Sequence, residues 1–176
     1  MPNFKQKIQS HFKFCPRCGK KFVFKKIHGR AELFCRNCQF IFWQNSKPTA
    51  SCFLSKGRQV LLVKRRVKPL KGYWDAPGGF LDFHESAEKG LARELREELG
   101  IQIRQPRFLG IYLGEYFSDL PQSTFNLYFL IKNWFGQLKP ADDISACAWF
   151  KLNELPKKIA FANNRRALRD LKKLLG

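Results

Sequence analysis

The chain has 176 residues, with 33 Lys or Arg against 14 Asp or Glu, a formal charge of +19, and 44% apolar residues that include 18 phenylalanines. That composition excludes a disordered chain or a coiled coil, and no apolar run approaches the roughly 20 residues of a membrane-spanning helix. The length suits one domain of ordinary size together with a small extra module.

Near the N-terminus, Cys15-Pro16-Arg17-Cys18 and Cys35-Arg36-Asn37-Cys38 form two CxxC pairs separated by sixteen residues. The spacer is long enough for a hairpin, since Lys21 to Ile27 and Ala31 to Phe34 read as strands around a His28-Gly29 turn. Folding the pairs together gives four thiolates in a tetrahedral set, the zinc-ribbon pattern. With every position filled by protein, such a Zn²⁺ is structural. Two disulfides are the alternative, disfavoured because no secretory apolar stretch opens the chain and Cys52 and Cys147 stand alone. Residues 1–50 hold 11 Lys or Arg against one acid, and residues 151–176 hold 8 against 2. Positive potential is therefore concentrated on the ribbon and the C-terminal tail. Phe12, Phe14, Phe22, Phe24 and Phe34 lie among the first of these cations. They either engage nucleic acid or a nucleotide alongside the lysines, or pack the small ribbon core while the lysines solubilise it.

Gln44 to Lys47, followed by Pro48, reads as a linker, which divides the chain into a module over residues 1–46 and a larger domain over 47–176. Ala50 to Ser55 and Gln59 to Arg66 read as strands joined at Lys56-Gly57. The Lys64-Arg65-Arg66 cluster at the end of the second strand either binds phosphate groups or is an exposed strand end. Gly72 to Gly79, GYWDAPGG, reads as a short strand and turn. Its Tyr73 and Trp74 are taken first as core aromatics.

The most informative stretch follows, GFLDFHESAEKGLARELREELGI from Gly79 to Ile101. Ser86 is placed as an N-cap, Glu88 sits in the first turn and Gly100 stands at C′, so one helix is predicted between them. Ala87, Leu91, Leu95 and Leu99 line its core side, while Glu94, Glu97 and Glu98 fill an adjoining arc about 100° wide. Acids at i, i+3 and i, i+4 repel one another, so this clustering calls for a cation. Dense hard oxygens suit Mg²⁺ or Mn²⁺, which bind few carboxylates together with the phosphates of a substrate.

The segment resembles the Nudix box: G, five residues, E, seven residues, then REUxEExGU with U aliphatic. Gly79, Glu85, Arg93, Glu94, Leu95, Glu97, Glu98, Gly100 and Ile101 meet every fixed position. The resemblance implies an α/β/α sandwich with a mixed sheet. It also implies Mg²⁺-dependent hydrolysis of a nucleoside diphosphate linked to another group. Carried over by position, Glu94, Glu97 and Glu98 become the metal-facing carboxylates, Gly78 a backbone-carbonyl ligand, and Arg93 the group that orients them by pairing with Glu85. Glu94 is one candidate general base, and Asp142, Asp143, Glu115 and Asp119 are others in loops beyond the box.

Phe108 to Phe117, Thr124 to Lys132 and Ala146 to Phe150 read as further strands. Asn163 or Asn164 is expected to cap a last helix running through Leu175, with Ala167, Leu168, Leu171, Leu174 and Leu175 on its apolar side. A ribbon joined to such a domain resembles the NADH pyrophosphatase group. The SQPWPFP motif of that group is missing from the equivalent stretch, Gly110 to Thr124, so the chain looks like the smaller ribbon-bearing Nudix proteins. The expected substrate is a nucleotide derivative such as ADP-ribose, NADH, FAD or a modified nucleoside triphosphate, met in the cytoplasm and away from membranes. A nucleotide-sensing or RNA-binding protein on the same fold is the alternative. No oligomeric state follows from the sequence.

Overall fold

The computed structural model describes residues 4–117 and 121–175. Its elements are α1 (Phe4–Gln9), β1 (Val23–Ile27), β2 (Arg30–Phe34), β3 (Ile41–Phe42), β4 (Lys47–Lys56), β5 (Gln59–Arg65), β6 (Trp74–Asp75), β7 (Gly78–Phe80) and α2 (Ala87–Leu99). They continue as β8 (Gln102–Arg104), β9 (Arg107–Phe117), β10 (Pro121–Ile131), β11 (Asn133–Phe135), β12 (Ile144–Lys151) and α3 (Ala162–Leu175).

The N-terminal strands form a three-stranded antiparallel sheet in the order β1-β2-β3. Its first hairpin turns on His28 and Gly29, with φ of 46° and 79°, the left-handed pair that a two-residue loop of this twist demands. Helix α1 has no sequence signature, because it is short and carries no acid in its first turn. It is held by tertiary contact: the buried Glu32 carboxylate on β2 accepts from Lys5 and, at 3.0 Å, from Gln9 Nε2.

The main sheet runs β12-β5-β4-β10-β9, with β10 parallel to β4 and its other pairings antiparallel. After the Lys56-Gly57 turn, β4 and β5 pair at Ser55–Val60 and Lys56–Gln59 and then diverge. Strand β7 pairs with β4 and β6 pairs with β5 in the gap that opens. Neighbouring residues on each strand point to opposite faces. Cys52, Leu54, Leu61 and Val63 therefore pack with Leu91, Leu95 and Leu99 of α2, while Phe53, Val60, Leu62 and Tyr128 pack with Ala167, Leu168 and Leu171 of α3. Both faces are covered, which explains why β4 and β5 read as nearly continuous apolar runs. Each buried leucine, valine or phenylalanine among them stabilises the fold by about 1.5–3 kcal/mol relative to exposure. The result is the mixed-sheet α/β/α sandwich expected from the box.

Three expectations are corrected. Strand β4 starts at Lys47 rather than Ala50, because Lys47 and Pro48 pair in register with Thr124 and Phe125. The end of the expected linker is therefore sheet. Helix α3 starts at Ala162, so Asn163 and Asn164 lie inside its first turn, buried, and do not cap it. A small antiparallel pair, β8 with β11, joins Ile103 to Trp134 where no strand was predicted.

Candidate active site

Strand β7 carries two glycines whose side-chain positions are already occupied. Gly78 has a φ of 128°, and a Cβ there would stand 2.2 Å from the Ala50 carbonyl oxygen. At Gly79 a Cβ would stand 2.5 Å from the Glu94 carboxylate. The helix therefore presses its acid directly against bare backbone. Helix α2 is fixed by Ser86, whose hydroxyl accepts from Lys89 N at 3.4 Å, and by Gly100 at φ 69°, which closes the C-terminus through the Arg96 and Leu95 carbonyls.

Arg93 is the hub. Its Nε and Nη2 donate to the two Glu85 oxygens at 3.1 and 3.0 Å, Nη1 donates to Glu94 Oε1 at 2.8 Å and Glu97 Oε2 at 3.2 Å, and Nη2 also reaches the Phe80 carbonyl at 3.0 Å. Glu85 is further held by the Asp82 N–H at 2.9 Å. The planar fork of an arginine can serve several carboxylates at once, which a lysine cannot do. Arg93's hydrogen bonds hold Glu85 below the ordinary carboxylate range, and Arg93 itself stays charged, first through those same bonds.

Glu98 is different. It is buried and accepts from the Gly78 N–H at 2.9 Å. Burial pushes its pKa up to about 8, against the pull of the Gly78 bond and with help from Glu94, Asp75 and Asp142. Burial likewise raises Glu94 despite the Arg93 contact. Glu97 is half exposed. Two of the three acids are thus inadequately neutralised, and their hard oxygens suit Mg²⁺ or Mn²⁺. With Arg93 holding Glu94 and Glu97 and Gly78 holding Glu98, the three are not drawn into one tight cluster.

Asp142, at φ 49°, stands near enough to act electrostatically on both Glu94 and Glu98. Asp143 is exposed, and its carbonyl accepts from Arg66 N at 2.7 Å. Glu115 lines the neighbouring groove, and Asp119 falls outside the described residues. The groove is bounded by Asp75, Gly79, Phe80, Tyr116 and Asn163. Through Glu115 and Phe161 it joins a cavity of about 770 Å³ that Tyr73 also lines. Phe80, Tyr116 and Phe161 stand in sequence along it, with ring centroids 5.5 and 5.7 Å apart. Trp74 instead packs edge-on against Phe150 at 4.8 Å, as a core residue does.

A buried polar network lies under the groove, with almost no signature in the sequence. Arg65 Nη1 pairs with Asp75 Oδ2 at 2.9 Å, so this member of the basic cluster is internally engaged. Asn164 Nδ2 donates to Asp75 and to the Ala160 carbonyl, the Tyr128 hydroxyl donates to Asn164 Oδ1, and Asn163 Nδ2 donates to Tyr128 Oη at 2.9 Å. Burial raises Asp75 in spite of Arg65. Two adjacent asparagines facing an otherwise apolar helix side were the one available hint.

A separate cluster gathers Cys15, Cys18, Cys35 and Cys38. Among the described residues it is the one set of His, Cys, Asp or Glu whose ligand atoms all lie within 4.8 Å of one another. All four are free thiols, with Cys15–Cys38 and Cys18–Cys35 sulfurs 3.6 and 3.4 Å apart. The two turns repeat each other: Gly19 N donates to the Cys15 carbonyl and Gln39 N to that of Cys35, at 2.8 and 2.9 Å, with both donor residues left-handed. Two such turns with converging thiols could hold a metal ion.

Comparison with known proteins gives three kinds of likeness. The family pattern of the NUDIX domain matches residues 45–171. An ADP-ribose pyrophosphatase of Methanocaldococcus jannaschii is 33% identical over 112 residues, covering 64% of this chain and 65% of its own. An NAD-capped RNA hydrolase NudC of Pseudomonas entomophila is 29% identical over 160 residues, 90% of this chain and 55% of its own. The chain thus spans somewhat less than two thirds of the first relative and about half of the second. A crystal structure of a NUDIX hydrolase from Nitrosomonas europaea superposes with a TM-score of 0.70 at 26% identity, over 93% of this chain and 90% of that one.

Proposed function

This chain belongs to the NUDIX family, and from that premise we propose that it is a Mg²⁺- or Mn²⁺-dependent pyrophosphohydrolase cleaving a phosphoanhydride bond of a nucleoside diphosphate derivative. ADP-ribose, NADH and FAD are the leading substrates. The observation that carries this reading is the set of acids around Arg93, pressed against the bare backbone of Gly78 and Gly79 at the mouth of an aromatic-lined groove.

Glu94, Glu97 and Glu98, with the Gly78 carbonyl, would hold the divalent ion, which when bound neutralises phosphate oxygens and lowers the pKa of an attacking water. Arg93 ties helix α2 to Glu85 and to the Phe80 carbonyl, so the acids keep their positions while substrate enters. A carboxylate within reach takes the proton of the water. Glu94 and Asp142 are the favoured bases, since Glu94 sits against Gly79 and Asp142 is close enough to act on it electrostatically, and Glu115, which lines the groove, is the alternative. Phe80, Tyr116 and Phe161 offer ring faces for a base. We read residues 47–176 as this catalytic domain. Residues 1–46 are read as a zinc ribbon whose Cys15, Cys18, Cys35 and Cys38 hold structural Zn²⁺ as thiolates, in keeping with a reducing cytoplasm.

The N-terminal module favours a second substrate class. Its one acid, Glu32, is only 2% exposed and is paired internally, so the outward charge of residues 1–50 is entirely cationic. Together with the name of the NudC relatives, this supports a nucleotide cap carried on RNA. The test is a panel of ADP-ribose, NADH, FAD, diadenosine polyphosphates, nucleoside triphosphates and capped RNA with Mg²⁺ or Mn²⁺, reading released phosphate products. Turnover of at least one dinucleotide that stops with EDTA is expected, and no turnover of any member would overturn the hydrolase. Capped RNA outcompeting the free dinucleotide, with an advantage lost steeply as salt rises, would select the second class.

A further inference from the structure

One guanidinium ties together the segments that meet where the groove opens into the cavity. Arg65, at the end of β5, donates from Nε to the Pro69 carbonyl at 2.8 Å and from Nη1 to Asp75 Oδ2 at 2.9 Å, and its Cζ stands 5.1 Å from the centre of the Phe161 ring. Pro69 lines the cavity beside Leu70 and Tyr73, Asp75 bounds the groove, and Phe161 lines both. The other Asp75 oxygen is held by the Ala76 N–H at 2.9 Å and by Asn164 of α3. The guanidinium therefore cannot shift without breaking an ion pair that is itself anchored. Phe161 needs such support. Its φ of 51° is a left-handed conformation that a bulky side chain adopts only where its surroundings impose it, and residues held in this way gather at ligand-binding sites.

Resting on the nucleotide substrate proposed above, we infer that Arg65 is a positioning residue, which holds Phe161 as a fixed wall for the nucleotide between groove and cavity. A ring already fixed when the ligand arrives loses little freedom on binding, and affinity rises accordingly. The planar cation over the ring and the Nε–H on Pro69 are properties of arginine that lysine lacks. The polar partners of Arg65 are Pro69 and Asp75, not Glu94, Glu97 or Glu98. Its effect therefore falls on binding and not on the chemical step.

Calorimetry of the full chain with AMP in Mg²⁺, beside steady-state kinetics, tests this. AMP has no phosphoanhydride bond, so it reports binding without turnover. Arg65→Lys, which keeps a cation beside Asp75, should weaken AMP about fivefold or more. It should raise the KM of the substrate in step while kcat stays within about twofold. Phe161→Leu should weaken AMP as much and the double variant no further, because both changes remove one shared interaction. The assignment is overturned if AMP does not bind wild type, binds Arg65→Lys as tightly, or loses affinity additively in the double variant. A fall in kcat with KM unchanged overturns it too. Wild type that binds AMP but turns over no nucleotide defeats the hydrolase alone. If Arg65→Lys melts early, nitrogen–proton NMR of wild type decides. The Arg65 Nε–H signal must move as AMP saturates the protein, and a stationary signal defeats the idea.

Discussion

Burial raises the Glu98 pKa to about 8 in the metal-free protein, against an ordinary 4.5, and so favours its protonated form up to that pH. A carboxyl raised in this way binds more protons folded than unfolded. The stability it contributes is therefore full below the ordinary glutamate range and is lost as pH climbs through about 8. Thermal melting in EDTA should show Tm falling between about pH 5 and pH 8 and levelling above that, with a shallower fall in Glu98→Gln. An equal slope in both proteins would show that Glu98 does not titrate there. On the proposed reading the same substitution removes a charge that would hold the ion, so turnover should drop about 10²-fold or more while the circular dichroism spectrum stays unchanged. Wild-type turnover in Glu98→Gln would exclude Glu98 from the reaction.

The two glycines of β7 separate chemistry from folding at the scale of an element. A Cβ at Gly79 meets the far end of a flexible side chain, Glu94, whereas one at Gly78 meets the Ala50 backbone at a φ reserved for glycine. Gly79→Ala should therefore keep its melting temperature and lose about 10²-fold in kcat/KM as Glu94 is displaced. Gly78→Ala should lose about 2 kcal/mol or more of unfolding free energy. Denaturant titration beside steady-state kinetics distinguishes the pair, and the reverse pattern would mean that the strand, not the acid, yields. Helix α2 was legible because its signals are local: Ser86, Gly100 and four apolar residues at helical spacing. The start of α3 was misread for the opposite reason. Asn163 and Asn164 have the chemistry of caps, but their partners Tyr128 and Asp75 lie 35 and 89 residues away, and no local pattern encodes such pairing. Strand β4 was cut short because Lys47 and Pro48 are poor strand formers, and their pairing to β10 overrides that preference.

Across the whole molecule, the alternation that places α2 and α3 on opposite faces of the sheet was readable from β4 and β5. The groove was not, since its walls come from β7, β9 and α3, which meet only in the fold. The cysteine module was legible in its spacing alone. One Zn²⁺ per chain is expected by metal analysis of protein purified without added metal, and loss of that zinc in the Cys15→Ser, Cys18→Ser double variant. Since the four cysteines are a cluster separate from the glutamates, kcat of the double variant should change far less than that of Glu98→Gln. Zinc-free wild type would refute the ribbon.

The Gly78 N–H, bonded to Glu98 Oε2 at 2.9 Å, gives the protein an internal reporter. Any event that changes the charge on that oxygen alters the polarisation of a single backbone amide. In a two-dimensional nitrogen–proton NMR spectrum, one glycine resonance should therefore move with magnesium titration and with pH, recording occupancy of the catalytic centre without any added label or substrate.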